Sequence, residues 1–153
     1  MTAVLVVAQR AAHEVAAACE RALPFEAAGF LLGGRGGPEP PAGEVIVLCR
    51  SAGGQGEFEV PDHELLRISA YAWDRRLRIV ALFHSHPSGD RRLSAADRST
   101  LQYSAWPWVI ATAGGPSTRV ELTAYRAGDA APMPCRIAEA ATDDSGMISV
   151  VTP

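Results

Sequence analysis

The chain has 153 residues, 48% apolar and 20% charged, with a formal net charge of −3. That is the length and balance of one ordinary globular domain, able to bury a core without a disulfide or a structural metal. Short clusters of arginine (Arg75, Arg76 and Arg78; Arg91 and Arg92) form no dominant basic stripe, which argues against nucleic acid as the partner.

In chain order, residues 2–8 are Val-rich and read as a first strand. They are too short, and too poor in preceding basic residues, for a secretory leader. Residues 9–23 are Ala-rich, with Val15, Ala18, Cys19 and Ala22 at helical spacing, and Pro24 ends that helix. Residues 27–32 form a compact apolar run, read as a buried strand. A Gly- and Pro-rich loop follows at 35–43, then a strand at 44–49, a loop at 51–56 and a short strand at 58–60.

A second helix is expected over 62–76, with Leu65, Leu66, Ile68, Ser69 and Ala72 on one face. Residues 79–83, IVALF, are apolar throughout, as suits a central strand covered on both sides. A third helix is expected over 94–103, and strands over 108–113 and 119–126, joined by the turn signal GGPS. Residues 147–151 read as a last strand or a trailing tail. The order describes one α/β domain, with a mixed central sheet flanked by helices, over 1–130, and a C-terminal strand or tail of the same domain over 131–153.

No apolar run approaches membrane-spanning length. Cys19, Cys49 and Cys135 lack CxxC spacing and read as reduced, buried thiols of a cytoplasmic protein. His13 and His63 fall on helix surfaces or ends, and Trp73, Trp106 and Trp108 read as packing residues.

Chemistry concentrates in the stretch FHSHPSGDRRLSAADRST. His84 and His86 continue the IVALF strand, and residues two apart on a strand share a face, so both imidazoles reach one spot. Pro87 ends the ladder. Asp97 sits in the first turn of the next helix. Two imidazoles and a carboxylate are a suitable ligand set for a catalytic Zn²⁺, which keeps a fourth position for water. Glu26 is the candidate general base. Each piece also has an ordinary reading. A single histidine is usually a solvated or core residue. Ser94 and Asp97 have the spacing of a helix capping box, which is compatible with the metal reading. Glu26 by itself is a charged residue at a strand entrance.

Taken together, His84-Ser85-His86-Pro87, six residues, Ser94, two residues and Asp97 resemble the JAMM motif of JAB/MPN+ metallopeptidases at every defined position. The segment PFEAAGFLLGG, with Glu26 and Gly29, is similar to that family's catalytic-glutamate segment. The resemblance spans about residues 4–126. It implies a cytidine-deaminase-like architecture, with one Zn²⁺ per chain held by His84, His86 and Asp97. It further implies that Glu26 activates a water and shuttles its proton, while Ser94 stabilises the oxyanion. The substrate it implies is the C-terminal Gly-Gly tail of a ubiquitin-like or sulfur-carrier protein, cut at a peptide or isopeptide bond. The short chain is most similar to the stand-alone prokaryotic branch. The RadC branch shares HSHPSGD but carries an extra helical region for which this chain has no space.

A non-catalytic MPN-type scaffold that binds partner proteins is the alternative, although scaffold members have generally lost ligands and none is missing here. A zinc deaminase would need HxE and PCxxC segments, and neither is present. His13-Glu14 is not a zincin helix, because Ala17 stands where the second histidine belongs. Substrate choice is expected to reside in residues 33–43, 53–59 and 106–108. The particular carrier, the choice between trimming and conjugate removal, and the oligomeric state stay open.

Overall fold

The computed structural model describes residues 3–35, 42–43, 45–48, 59–114 and 119–138. β1 (Leu5–Ala8) runs directly into α1 (Gln9–Ala22). Alanine favours the helix, and its buried stripe of Ala11, Ala12, Val15, Ala16 and Ala18 follows the helical repeat. Leu23, just before Pro24, takes an extended backbone at ψ 138°, because a proline ring disfavours helical geometry in the residue before it.

β2 (Ala28–Gly34), β3 (Ala42–Gly43) and β4 (Val45–Leu48) follow, then α2 (Asp62–Asp74), β5 (Leu77–Ser85) and α3 (Ala95–Leu101). β6 (Trp108–Ala113), β7 (Val120–Tyr125), β8 (Pro132–Met133) and β9 (Cys135–Ala138) complete the described elements. The main sheet is mixed, in the order β4-β2-β5-β6-β7-β8, and β3-β1-β9 form a smaller parallel sheet.

Strand alternation divides the core into two layers. Leu31, Ala81, Phe83, Val109 and Ala111 face α1 and pack with Ala12 and Val15. Phe30, Leu82, Trp108 and Ile110 face the other way and pack with Ile68 of α2 and Leu101 of α3. β5 is central, antiparallel to β2 and parallel to β6, with α3 as the crossover between the parallel pair. The carboxyl end of β5 and the start of α3 therefore meet at one edge of the sheet, where open α/β sheets place their ligands.

Several expectations are refined. The covered side of α2 is Glu64, Ile68 and Ala72, with Leu65 partly buried, whereas Leu66 is 72% exposed and Ser69 also faces solvent. A 3.6-residue turn cannot bring 66 and 69 onto the face of 64, 68 and 72. α3 is shorter than expected at both ends, since Ser94 serves as its N-terminal cap and Gln102 already closes it. Beyond residue 128 the chain forms β8 against β7 and β9 against β1. His13 and His63 are exposed. Trp106 and Trp108 pack inside, whereas Trp73 is 69% exposed beneath the Arg35 guanidinium. Cys19 and Cys135 border the core beside α1, and burial pushes both thiols up to about 11. The expected strand at 58–60 is not formed at Glu59 and Val60, which lead into α2 without regular structure, and Ala42 and Gly43, placed in the expected loop at 35–43, form β3. The rest of that loop but Arg35, the loop at 51–56, the GGPS turn after Gly114, Cys49 and residues 147–151 lie outside the described residues. No helix among the described residues is long and apolar enough to cross a membrane.

Candidate metal centre

His84 lies inside β5 and shares the parity of Leu82, so its ring points toward α3 and is fully buried. Its edge meets the Trp108 ring, centroids 5.5 Å apart. His86 lies just past the strand, where its N–H still donates to Ala111 O of β6 at 3.0 Å. That bond carries the strand geometry one residue further and keeps both imidazoles on one side. Asp97 arrives from α3. The ligand atoms converge: His84 Nε2 is 3.1 Å from His86 Nε2 and 3.3 Å from Asp97 Oδ1, and His86 Nε2 is 3.4 Å from Asp97 Oδ2.

The surroundings orient each donor. His86 Nδ1 donates to the Asp90 carbonyl at 2.6 Å, which leaves Nε2 as the lone-pair nitrogen. Asp97 Oδ2 accepts the Ser94 N–H at 2.7 Å, and Ser94 Oγ accepts the Asp97 N–H at 3.0 Å. The loop between them is pinned by Tyr125, whose hydroxyl donates to Arg91 O at 2.7 Å, and by buried Leu93. One ligand atom from each of His84, His86 and Asp97 lies within 4.8 Å of the others. Two borderline nitrogen donors and one anionic oxygen, mostly shielded from water, suit a divalent transition ion such as Zn²⁺.

The electrostatics agree. Burial lowers the pKa of His84 despite the Asp97 carboxylate, favouring the neutral, ligating imidazole. Burial would raise the pKa of Asp97, but hydrogen bonds from both histidines outweigh it and hold the carboxyl far below the usual range. A hydrogen bond to the Asp97 carboxylate raises the pKa of His86. Glu26 is half-buried, and burial, with some repulsion from Asp97, pushes its pKa up.

Glu26, His86 and Ser94 line two clefts that meet at the centre. One, of about 640 Å³, is a mainly apolar groove walled by Phe30, Val60, Leu65, Leu82, Trp106 and Trp108. The other, of about 510 Å³, is polar and carries Asp90, Arg92 and Arg98. Four of the five residues singled out by motif, Glu26, His86, Ser94 and Asp97, therefore line the apolar groove, while His84 is fully buried behind them with its Nε2 against His86 and Asp97. Of the segments expected to govern substrate choice, Glu59, Trp106 and Trp108 line the groove.

Sequence reasoning assigned no role to Trp108 against His84, to the Asp90 carbonyl, or to Ser85. Ser85 stood in the sequence only as a position of the motif, between two histidines and on the opposite strand face.

Comparison with known proteins identifies the family and the fold. Residues 8–127 match the model for prokaryotic homologs of the JAB domain. The fold is similar to a solution structure of a protein from Desulfitobacterium hafniense, at 20% identity and TM-score 0.76, over 90% of this chain and 95% of that one. It is also similar to a JAB1/MPN domain protein from Archaeoglobus fulgidus, at 15% identity and TM-score 0.57, over 87% and 98%. A structure described as a JAMM metalloprotease-like zinc site in the proteasome and signalosome matches at 14% identity and TM-score 0.55, over 89% and 99%. No curated protein matches the sequence.

Proposed function

The chain belongs to the family of prokaryotic homologs of the JAB domain, and on that premise we propose that it is a zinc-dependent hydrolase. Its proposed substrate is a peptide or isopeptide bond at the C-terminal Gly-Gly tail of a ubiquitin-like or sulfur-carrier protein, in the cytoplasm. The observation that carries this reading is the convergence of His84, His86 and Asp97 on one point, with Glu26 and Ser94 facing the same clefts.

His84, His86 and Asp97 would hold the ion. A bound Zn²⁺ would supply Lewis acidity, polarising the scissile carbonyl and lowering the pKa of water. Glu26 accepts the proton of the attacking water as the new C–O bond forms, and returns it to the leaving nitrogen as the C–N bond breaks. Burial raises its pKa, which makes the carboxylate a stronger base for the first half of that task. Ser94 Oγ spends a lone pair on the Asp97 N–H, so its own O–H is left to donate to the developing oxyanion. The two clefts fit an extended chain running through the centre, and glycine at the bond leaves the carbonyl unshielded.

The test is cleavage of a ubiquitin-like protein extended beyond its Gly-Gly. Glu26→Gln is expected to lower kcat by roughly 10²–10⁴-fold while keeping one zinc per chain. Cleavage that survives in Glu26→Gln, or after complete metal removal, sinks the reading.

A further inference from the structure

Strand alternation puts Ser85 on the opposite face of β5 from His84. It turns toward α1, with Ala81 and Phe83, and is 3% exposed. A hydroxyl buried so deeply requires partners. Ser85 Oγ accepts the Ala27 N–H at 2.7 Å, and the hydroxyl also hydrogen-bonds the Cys19 thiol of α1. The Ser85 N–H donates to the Ala27 carbonyl at 2.8 Å. One residue therefore holds both backbone polar groups of Ala27.

The place of this clamp matters. The ladder between β2 and β5 ends at the pair Ala28 and His84. One step further, a regular antiparallel pair would return the Ala27 N–H to the Ser85 carbonyl. Here the side chain takes that bond instead, so a hydroxyl forms the last rung. The Ala27 nitrogen belongs to the peptide plane that carries the Glu26 carbonyl. Fixing that plane fixes the direction in which Glu26 leaves the sheet.

We infer that Ser85 is a positioning residue: by clamping Ala27 it ties Glu26 to the strand that carries His84 and His86, so that base and metal ligands keep one spacing. The inference rests on the hydrolase reading above. It explains why a hydroxyl lies between the two histidines while contributing nothing to the ligand face. A misplacement of about 1 Å costs on the order of a hundredfold in rate, so a single bond at this point has leverage.

The test compares wild type with Ser85→Ala, Ser85→Cys and Ser85→Thr, each zinc-loaded. Ser85→Ala is expected to keep zinc affinity within about threefold and to speed Ala27 amide exchange at least about tenfold. Its kcat is expected to fall by about a hundredfold with KM within about threefold. Ser85→Thr retains the acceptor and restores kcat; Ser85→Cys, a weak acceptor of similar size, falls between and serves if the alanine variant does not fold. A readout independent of turnover is the ¹³C carboxyl resonance of Glu26, assigned with Glu26→Gln. In wild type it moves on zinc addition, and in Ser85→Ala that response is diminished.

A zinc response or kcat unchanged in Ser85→Ala overturns the inference. So does loss of zinc by that variant, since Ser85 would then act on the histidines. A wild-type Glu26 signal indifferent to zinc overturns the hydrolase reading itself and the inference with it. If wild type turns over no substrate but its Glu26 signal responds, the exchange and resonance measurements decide the role of Ser85 alone.

Discussion

α1 and α2 run for 14 and 13 residues and begin at Ala8 and Pro61 with no side chain bonding their first turn. α3 runs for seven and begins with a complete reciprocal capping box. Helices this short are marginal on their own. α1 is carried by the burial of five residues against the sheet, while α3 buries only Asp97 and Leu101. The long helices can leave their starts to tertiary packing; the short one depends on local bonds. It is also the one that carries a candidate metal ligand. Asp97 Oδ2 closes the box on Ser94 N–H and lies 3.4 Å from His86 Nε2, while Oδ1 lies 3.3 Å from His84. Cap and ligand are the same carboxylate.

The sharpest way to break this comparison is to separate the two duties. Asp97→Ala removes both. Its zinc affinity, measured by chelator competition, is expected to fall by more than the roughly 10–100-fold that loss of an outer partner costs. The metal-free protein should lose about 1 kcal/mol in denaturant unfolding from the broken cap. Asp97→Asn keeps an oxygen for the Ser94 N–H, so its zinc loss should be similarly severe and its cap loss much smaller. Equal destabilisation by Ala and Asn would show that the box does not hold the start of α3.

The contrast also explains what could be read in advance. The two histidines, the aspartate and its cap are readable because each depends on local spacing: two residues on a strand, three at a helix start. The family match over residues 8–127 extends the same pattern. What escaped was non-local. Ser85 acts on Ala27, fifty-eight residues earlier, and no periodicity within β5 announces that pairing. The apolar groove draws on β2, α2, β5 and β6 together. On α2, the hydrophobicity of Leu66 suggested a buried face that the helical turn excludes. Glu26 was found through its motif, and only the fold brings it to the clefts shared with His86 and Ser94.

Ser94 offers the next, smaller effect. Ser94→Ala loses both the cap and the hydroxyl donor, so we expect about 1 kcal/mol of destabilisation and a kcat lower by about a hundredfold at unchanged zinc content. Ser94→Asp returns an oxygen acceptor to the Asp97 N–H but brings no O–H at neutral pH. Stability should recover while kcat stays low. Recovery of both in the aspartate variant would mean that Ser94 acts through the cap alone.

The smallest effect is a pH dependence of the metal-free protein, and it carries signs that identify its sources. Burial would raise the pKa of Asp97, but the histidine bonds hold it well below the ordinary value of 3.8. As pH falls below about 4, the unfolded carboxyl binds a proton that the folded one refuses, so the stability Asp97 supplies above that pH drains away. His84 adds an earlier acid stage: burial lowers its pKa from 6.5, so the unfolded imidazole protonates first as pH falls through about 6.5. His86 has the opposite sign. The Asp97 bond raises its pKa, so its contribution is whole below about 6.5 and is lost as pH rises through the raised value. Asp97→Asn should abolish the stage below about pH 4 and blunt the loss due to His86, while the stage from buried His84 persists. Thermal unfolding of both proteins between about pH 2.5 and 8 checks this: the Tm difference, wild type minus variant, should fall by a few °C between about pH 5 and 2.5. A difference that stays flat over that range would mean that the histidines do not hold the Asp97 carboxylate ionised, leaving α3 with a cap that does nothing more than those of ordinary short helices.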